Sequence, residues 1–292
     1  MMFLLFSILY SQKSDAVREP AVAGMFYPAE PETLQAMIRE FLSHTEKVIQ
    51  GDIGGLVSPH AGYIYSGPVA AWSYRQIEGN SYDVVVVIAP SHFEYFRGAS
   101  VFPGAYYETP LGKIPVDHTL AEQLAEQSPH IHLSMSGHSI SFTGRGEHSL
   151  EVQLPFLQTV LKDFKLLPIV IADQSWDNVK TLALSLANVL KGKKALIVAS
   201  SDLSHYHPYT TAYTLDEKIQ ELFNSFDYQG IVEGCERHEI EACGYGPIAT
   251  MMYACELLGY NKSKVLKYAT SGDVPVGEKA QVVGYMSGVV YR

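Results

Sequence analysis

The sequence predicts an α/β fold: a single domain with a central mixed, mostly buried β-sheet flanked by helices. Three observations carry this reading. Asp83–Ala89 (DVVVVIA), Leu166–Ala172 and Ala195–Ser200 (ALIVAS) are near-continuous apolar runs, as expected of strands covered on both faces. Helical patterns separate them, and buried strands alternating with helices mean α/β. No fixed-period repeat, charge block or long Gly/Ser linker divides the 292 residues, a length compatible with one large domain.

In chain order, Met1–Tyr10 is an apolar run without the basic residues of an export signal. It is too short to cross a bilayer. Residues 1–17 are therefore read as an N-terminal extension, with an export signal as the alternative, and 18–292 as the domain. Pro31–Leu42 is helical, with its proline in the first turn. Gly54–Ser58 is a short strand and Val69–Ile77 a helix. After the Asp83–Ala89 strand, Ala99–Lys113 supplies the pieces that make the sheet mixed. Asp117–Gln127 and Glu147–Leu161 are expected as helices, as are Trp176–Leu190, Leu215–Phe223 and Pro247–Leu258. Val265–Thr270 and Val282–Val290 close the chain as a strand pair.

Composition narrows the function. The chain carries 31 acidic and 21 basic side chains, a formal net charge of −10. That balance argues against a general nucleic-acid binder, because phosphate contacts need clustered Lys and Arg. Three Cys are too few for a disulfide scaffold. No later segment is long and apolar enough to span a membrane, and a cytoplasmic location is expected. P-loop, dinucleotide-fingerprint, zinc-protease and G-x-S-x-G motifs are all missing, so no nucleotide cofactor is expected.

The 11 His are numerous for such a chain. Three segments share one layout, an apolar strand running into a turn and then a histidine. LVSPHAGYIYSG presents His60, VVVVIAPSHFEY presents His92, and ALIVASSDLSHYHPY presents Asp202, His205 and His207. Ligands of open α/β sheets bind outside the carboxyl ends of strands. Imidazoles with a carboxylate suit Fe, Zn, Cu, Ni or Mn rather than Ca or Mg. Any one of these histidines can equally cap a strand, but three at equivalent strand ends favour a metal site. Cys243, between an acidic stretch and two glycines, precedes a helical run. Its thiolate can face the helix end or a metal, or the residue can be a small buried hydrophobe. His148 and Glu151, three apart, share a face if helical, which suits orienting a metal-bound imidazole or acid/base work. Acidic residues near a helix start, Glu147 and Glu151, are also favoured by the helix dipole alone.

REPAVAGMFYP, SPHAGYIYSGPVAA, APSHF, TPLGKIPVD, EHSLEVQLPFL, SSDLSHY and ACGYGP follow one another from Arg18 towards the C-terminus. Together they resemble the Memo family, also called AmmeMemoRadiSam system protein B. The resemblance implies a fold like that of class III extradiol dioxygenases of the protocatechuate-dioxygenase B-subunit type. Those are non-haem iron enzymes with two His and one carboxylate on the metal. In Memo proteins a Cys replaces the carboxylate, which carried onto this chain gives His60, His92 and Cys243. Asp202 and His205 would line the same pocket, with His205 as general acid/base and Asp202 orienting it. His148 and Glu151 would stand beside them. In a binding-module reading, Tyr63, Tyr65, Tyr95 and Arg97 near the pocket would recognise a peptide or aromatic group, and Tyr63 and Tyr65 are candidate substrate contacts. A thiolate makes copper a contender beside iron, with zinc as a further option, and puts ring cleavage in doubt. The implied function is metal-dependent redox chemistry on a small substrate or O₂. The alternatives are a non-catalytic module binding a peptide or phosphopeptide, and iron or copper handling. The family name implies AMMECR1-type and radical-SAM partner proteins.

Overall fold

The computed structural model describes residues 15–139 and 146–292; the Met1–Tyr10 run lies outside them. Valine and isoleucine decide the centre of the fold. In β3 (Val84–Pro90) Val84, Val86 and Ile88 pack into one apolar cluster, while Val85, Val87 and Ala89 pack into another. Successive strand side chains point to opposite faces, so the unbroken apolar run buries both. β8 (Lys165–Ile171) and β9 (Ala195–Ser200) behave likewise, and β2 (Ile53–Ser58) completes a parallel set in the order β2-β9-β3-β8.

Antiparallel strands extend both sides, as the expected mixed sheet requires. β12 (Val282–Tyr291) pairs with β2, and β11 (Lys262–Thr270) pairs along β12. β4 (Ala99–Val101) runs antiparallel to β8 and carries β7 (Ile131–Leu133) beyond it. β10 (His205–His207) joins β12. The remaining expected strand material folds apart. β5 (Tyr106–Thr109) and β6 (Gly112–Pro115) form a hairpin that β1 (Val17–Arg18) joins, making a separate three-stranded sheet. Val17 is thus already part of the folded unit.

Helices cover both faces. They include α1 (Pro31–Ser43), α2 (Tyr63–Ile77), α5 (Trp176–Leu190) and α8 (Tyr245–Leu257). Between the first and last pairs come α3 (His118–Ala125) and α4 (Leu154–Val160), while α6 (Tyr209–Asn224) and α7 (Tyr228–Glu236) precede α8. Two expectations need correction. The helix expected over Glu147–Leu161 begins only with a 3₁₀ turn at Glu151–Gln153, followed by α4. The α7 helix had no counterpart in the sequence reading. Among the described residues no helix is long and apolar enough to cross a membrane.

One buried ion pair fastens the N-terminal segment to this frame. Arg18 donates to the Glu151 carboxylate, which also accepts from Ala21 N, Val22 N and Tyr27 Oη. Arg18 reaches the carbonyls of Glu147 and His138 as well. Removing one partner of a buried pair leaves the other charge uncompensated, at about 3–5 kcal/mol. Glu151→Gln is therefore expected to lower the unfolding free energy by roughly that amount in chemical denaturation. A loss below about 1 kcal/mol, typical of exposed pairs, would contradict it.

Candidate metal and acid/base site

Because β2, β9 and β3 are parallel neighbours, their carboxyl ends share one edge. His60, Asp202 and His92 each lie two residues past such an end. At this edge the ladder stops, and the freed backbone N–H groups need acceptors. Two carboxylates supply them. Asp202 Oδ1 accepts from His60 N at 2.8 Å. Glu147 accepts from the backbone N–H groups of His92, His148 and Ser149. The same contacts fix where the imidazoles stand. The His60, His92 and His148 ring centroids lie 4.8–5.4 Å apart.

Hydrogen-bond accounting fixes the tautomers. The Ser200 hydroxyl donates its one hydrogen to the Ser149 carbonyl at 2.6 Å and accepts from Gln153 Nε2 at 2.8 Å. His60 Nδ1, 2.8 Å from the same oxygen, must therefore be the donor. That leaves the Nε2 lone pair facing Cys243 Sγ, 3.3 Å away. Burial, reinforced by the neighbouring histidines, lowers the His60 pKa and keeps the ring neutral. His92 Nδ1 donates to Glu147 Oε1 at 2.9 Å, so its Nε2 is also free. Burial opposes a charge on His92, yet the Glu147 carboxylate outweighs it and raises the imidazole pKa. One ligand atom from each of His60, His92 and Cys243 can be chosen with all three within 4.8 Å of one another.

Cys243 is held at the mouth of α8. Its N–H donates to the Asp202 carbonyl, and its own carbonyl accepts from Gln174 Nε2 at 2.8 Å. Gln174 Oε1 accepts from Gly246 N, so one amide side chain clamps the turn into the helix. Without a cation, burial and the nearby Asp202 raise the thiol pKa. Asp202 Oδ2 lies 4.0 Å from His60 Nε2. Burial raises this carboxyl above its usual range although the His60 N–H opposes it. His205 Nδ1 donates to the Leu203 carbonyl at 2.7 Å, leaving Nε2 as the acceptor in the neutral ring.

Other expected residues are placed differently. His148 joins the cluster, stacked on His92 at 29° with Phe26 at 4.6 Å on it. Glu151 does not: the 3₁₀ turn swings it to Arg18 and the N-terminal segment. Tyr63 is fully buried, its hydroxyl donating to the Val152 carbonyl, so it lines no binding surface. Tyr65 is half-buried on the first turn of α2, near Tyr285, which also feels Asp202. Tyr95 and Arg97 are exposed. His207 turns away to Glu241. Three partners escaped the sequence reading. Glu147 was assigned to a helix dipole, and Ser200 and Gln153 gave no signal beyond standing in motifs.

Comparison with known proteins agrees with this organisation. The family described as Memo-like protein matches residues 18–289. A MEMO1 family protein of Nitrosopumilus maritimus is 38% identical over 275 residues, covering 92% of this chain and 98% of that protein. One from Thermotoga maritima is 39% identical over 287 residues (94% and 99%). One from Pyrobaculum aerophilum is 38% identical over 286 residues (94% and 99%).

The buried imidazoles make the fold acid-sensitive. Burial lowers His148 to about 4 and His138, which bonds Tyr107, to about 3. Neutral in the fold, both take up protons in the unfolded chain below about pH 6.5. Burial pulls Glu147 upward, but His92 and His148 overcome it and leave it at about 2. Its contribution is present above the ordinary carboxylate range and lost as pH falls towards 2. Asp202 and Asp216, both raised by burial to about 6, and His92 act with the opposite sign; below about pH 6 the three lowered histidines, His60, His138 and His148, outnumber the two carboxyls that take up protons in the fold. Denaturant midpoints are expected to fall steadily from about pH 6.5 to about pH 4; a flat or rising profile would refute this.

Proposed function

The chain belongs to the Memo family, and from that premise we propose that it is a metal-dependent redox protein with a mononuclear centre on His60, His92 and Cys243. The observation that carries this is the meeting of one ring nitrogen each from His60 and His92 with the Cys243 sulfur, all within 4.8 Å of one another. A tetrahedral metal with ordinary metal–nitrogen and metal–sulfur bonds separates N and S by about 3.5 Å. The 3.3 Å between His60 Nε2 and Cys243 Sγ suits that spacing. One soft thiolate with two imidazoles favours copper or iron and accommodates zinc. Both imidazoles already have their other nitrogen engaged, by Ser200 and by Glu147, as orienting groups around a metal do. A bound iron or copper ion would supply one-electron chemistry and Lewis acidity at this point.

The protein's own groups would manage protons on a small substrate. Asp202, its pKa raised by burial, can hold a proton closer to neutrality than an exposed carboxyl. His205 Nε2 can accept one, because its Nδ1 is tied to Leu203. Phe26 and Phe93 stand against His148.

Anaerobic purification followed by elemental analysis tests the reading. Wild type is expected to carry stoichiometric metal, and His60→Ala, His92→Ala and Cys243→Ser to lose most of it. Because the thiol must shed its proton to bind, loading is expected to weaken by about tenfold per pH unit on acidification. Protein without iron, copper or zinc, or variants with unchanged content, would overturn it.

A further inference from the structure

Of the four parallel strands, three hand a residue to the site: His60 after β2, His92 after β3 and Asp202 after β9. The fourth, β8, supplies no ligand. The loop after it sends Gln174 across to the turn that carries Cys243. Gln174 Nε2 donates to the Cys243 carbonyl and Gln174 Oε1 accepts from Gly246 N, each at 2.8 Å. One planar amide thus holds this turn at two points. Its own loop is anchored, because the Asp173 carbonyl accepts from Asn178 Nδ2 at 2.5 Å and Asp173 Oδ1 from Ser175 N at 3.1 Å.

Helix capping explains only one of the two bonds. The first N–H groups of a helix have no partner within it, and Gly244, the N-cap of α8, has no side chain to offer. Gln174 Oε1 serves Gly246 in its place. The bond to the Cys243 carbonyl has no such reason. Cys243 stands one residue before the N-cap, and the carbonyls a helix leaves unpaired are at its other end.

That second bond bears on the sulfur. The Cys243 N–H is fixed by the Asp202 carbonyl at 3.2 Å, its carbonyl by Gln174, and the next N–H, of Gly244, by Ser201 Oγ at 2.9 Å. Both peptide groups flanking the Cys243 Cα are therefore held, which sets the direction of its Cα–Cβ bond. Asp202 N points at Sγ from 3.3 Å. The fit has no slack. A Cβ on Gly246 would lie 2.9 Å from Gln174 Cβ and 3.0 Å from its Cγ, and one on Gly244 would lie 2.2 Å from the Ser200 carbonyl oxygen. The two glycines after Cys243 let these partners approach.

We propose that Gln174 is a positioning residue for the thiolate ligand, holding the Cys243 backbone so that Sγ meets the ring nitrogens of His60 and His92. This rests on the metal reading of those three residues. Groups that orient metal ligands cost about 10–100-fold in affinity when changed. The test is an anaerobic cobalt(II) titration, read by affinity and by the thiolate-to-cobalt charge-transfer absorption, beside the thermal melt of the metal-free protein. Gln174→Met keeps the side-chain length and loses both hydrogen bonds. It is expected to weaken cobalt binding by about 10–100-fold and to shift the charge-transfer band, with stoichiometry at saturation unchanged. Gly246→Ala displaces the amide without removing it and is expected to weaken binding in the same direction. In a Cys243→Ser background, with no thiolate left to place, Gln174→Met is expected to change the residual affinity by less than about twofold. Wild-type affinity and absorption in both variants, whatever the melt, would overturn the proposal and leave Gln174 a helix cap. An equal loss in the Cys243→Ser background would also overturn it. Wild type that binds no cobalt would instead overturn the metal reading itself.

Discussion

Parallel alignment of β2, β9 and β3 is the constraint on which the site rests. It brings three strand ends to one edge, and at that edge backbone N–H groups lose their ladder partners. Asp202 and Glu147 accept those hydrogens, so two carboxylates that the backbone needs also hold the imidazoles in position. Structural satisfaction and ligand placement are the same contacts. A change at either carboxylate therefore disturbs the fold and the chemistry together.

The clamp on the N-terminal segment extends this coupling. Glu151 ties down Arg18, Ala21, Val22 and Tyr27, and Arg18 in turn binds the carbonyl of Glu147. Phe26, carried by that segment, lies on His148. Residues 18–27 thus form one wall of the imidazole cluster, although they are remote from it in sequence.

The parts legible in the sequence are those whose physics is local. Asp83–Ala89 announces itself because burial on both faces demands an unbroken apolar run, and the histidines after β2 and β3 stand out by equivalent position. β1, β7 and β10 are two or three residues long, too short for any period, and exist through pairing with distant strands. His148 and Glu151 show where spacing misleads. Three residues apart place two side chains on one face only if a helix runs through both, and here the 3₁₀ turn begins at Glu151. The neighbouring Glu147, whose role depends on the distant His92 loop, is the one that meets the imidazoles.

The Ser200 hydroxyl has one further consequence. Its single hydrogen is committed to the Ser149 carbonyl, and both its lone pairs are occupied by Gln153 and His60. A proton arriving on His60 cannot be handed inward, because the next group has no vacancy. The wall behind His60 is a dead end for proton traffic, and any exchange with solvent has to leave on the side of Asp202 and His205.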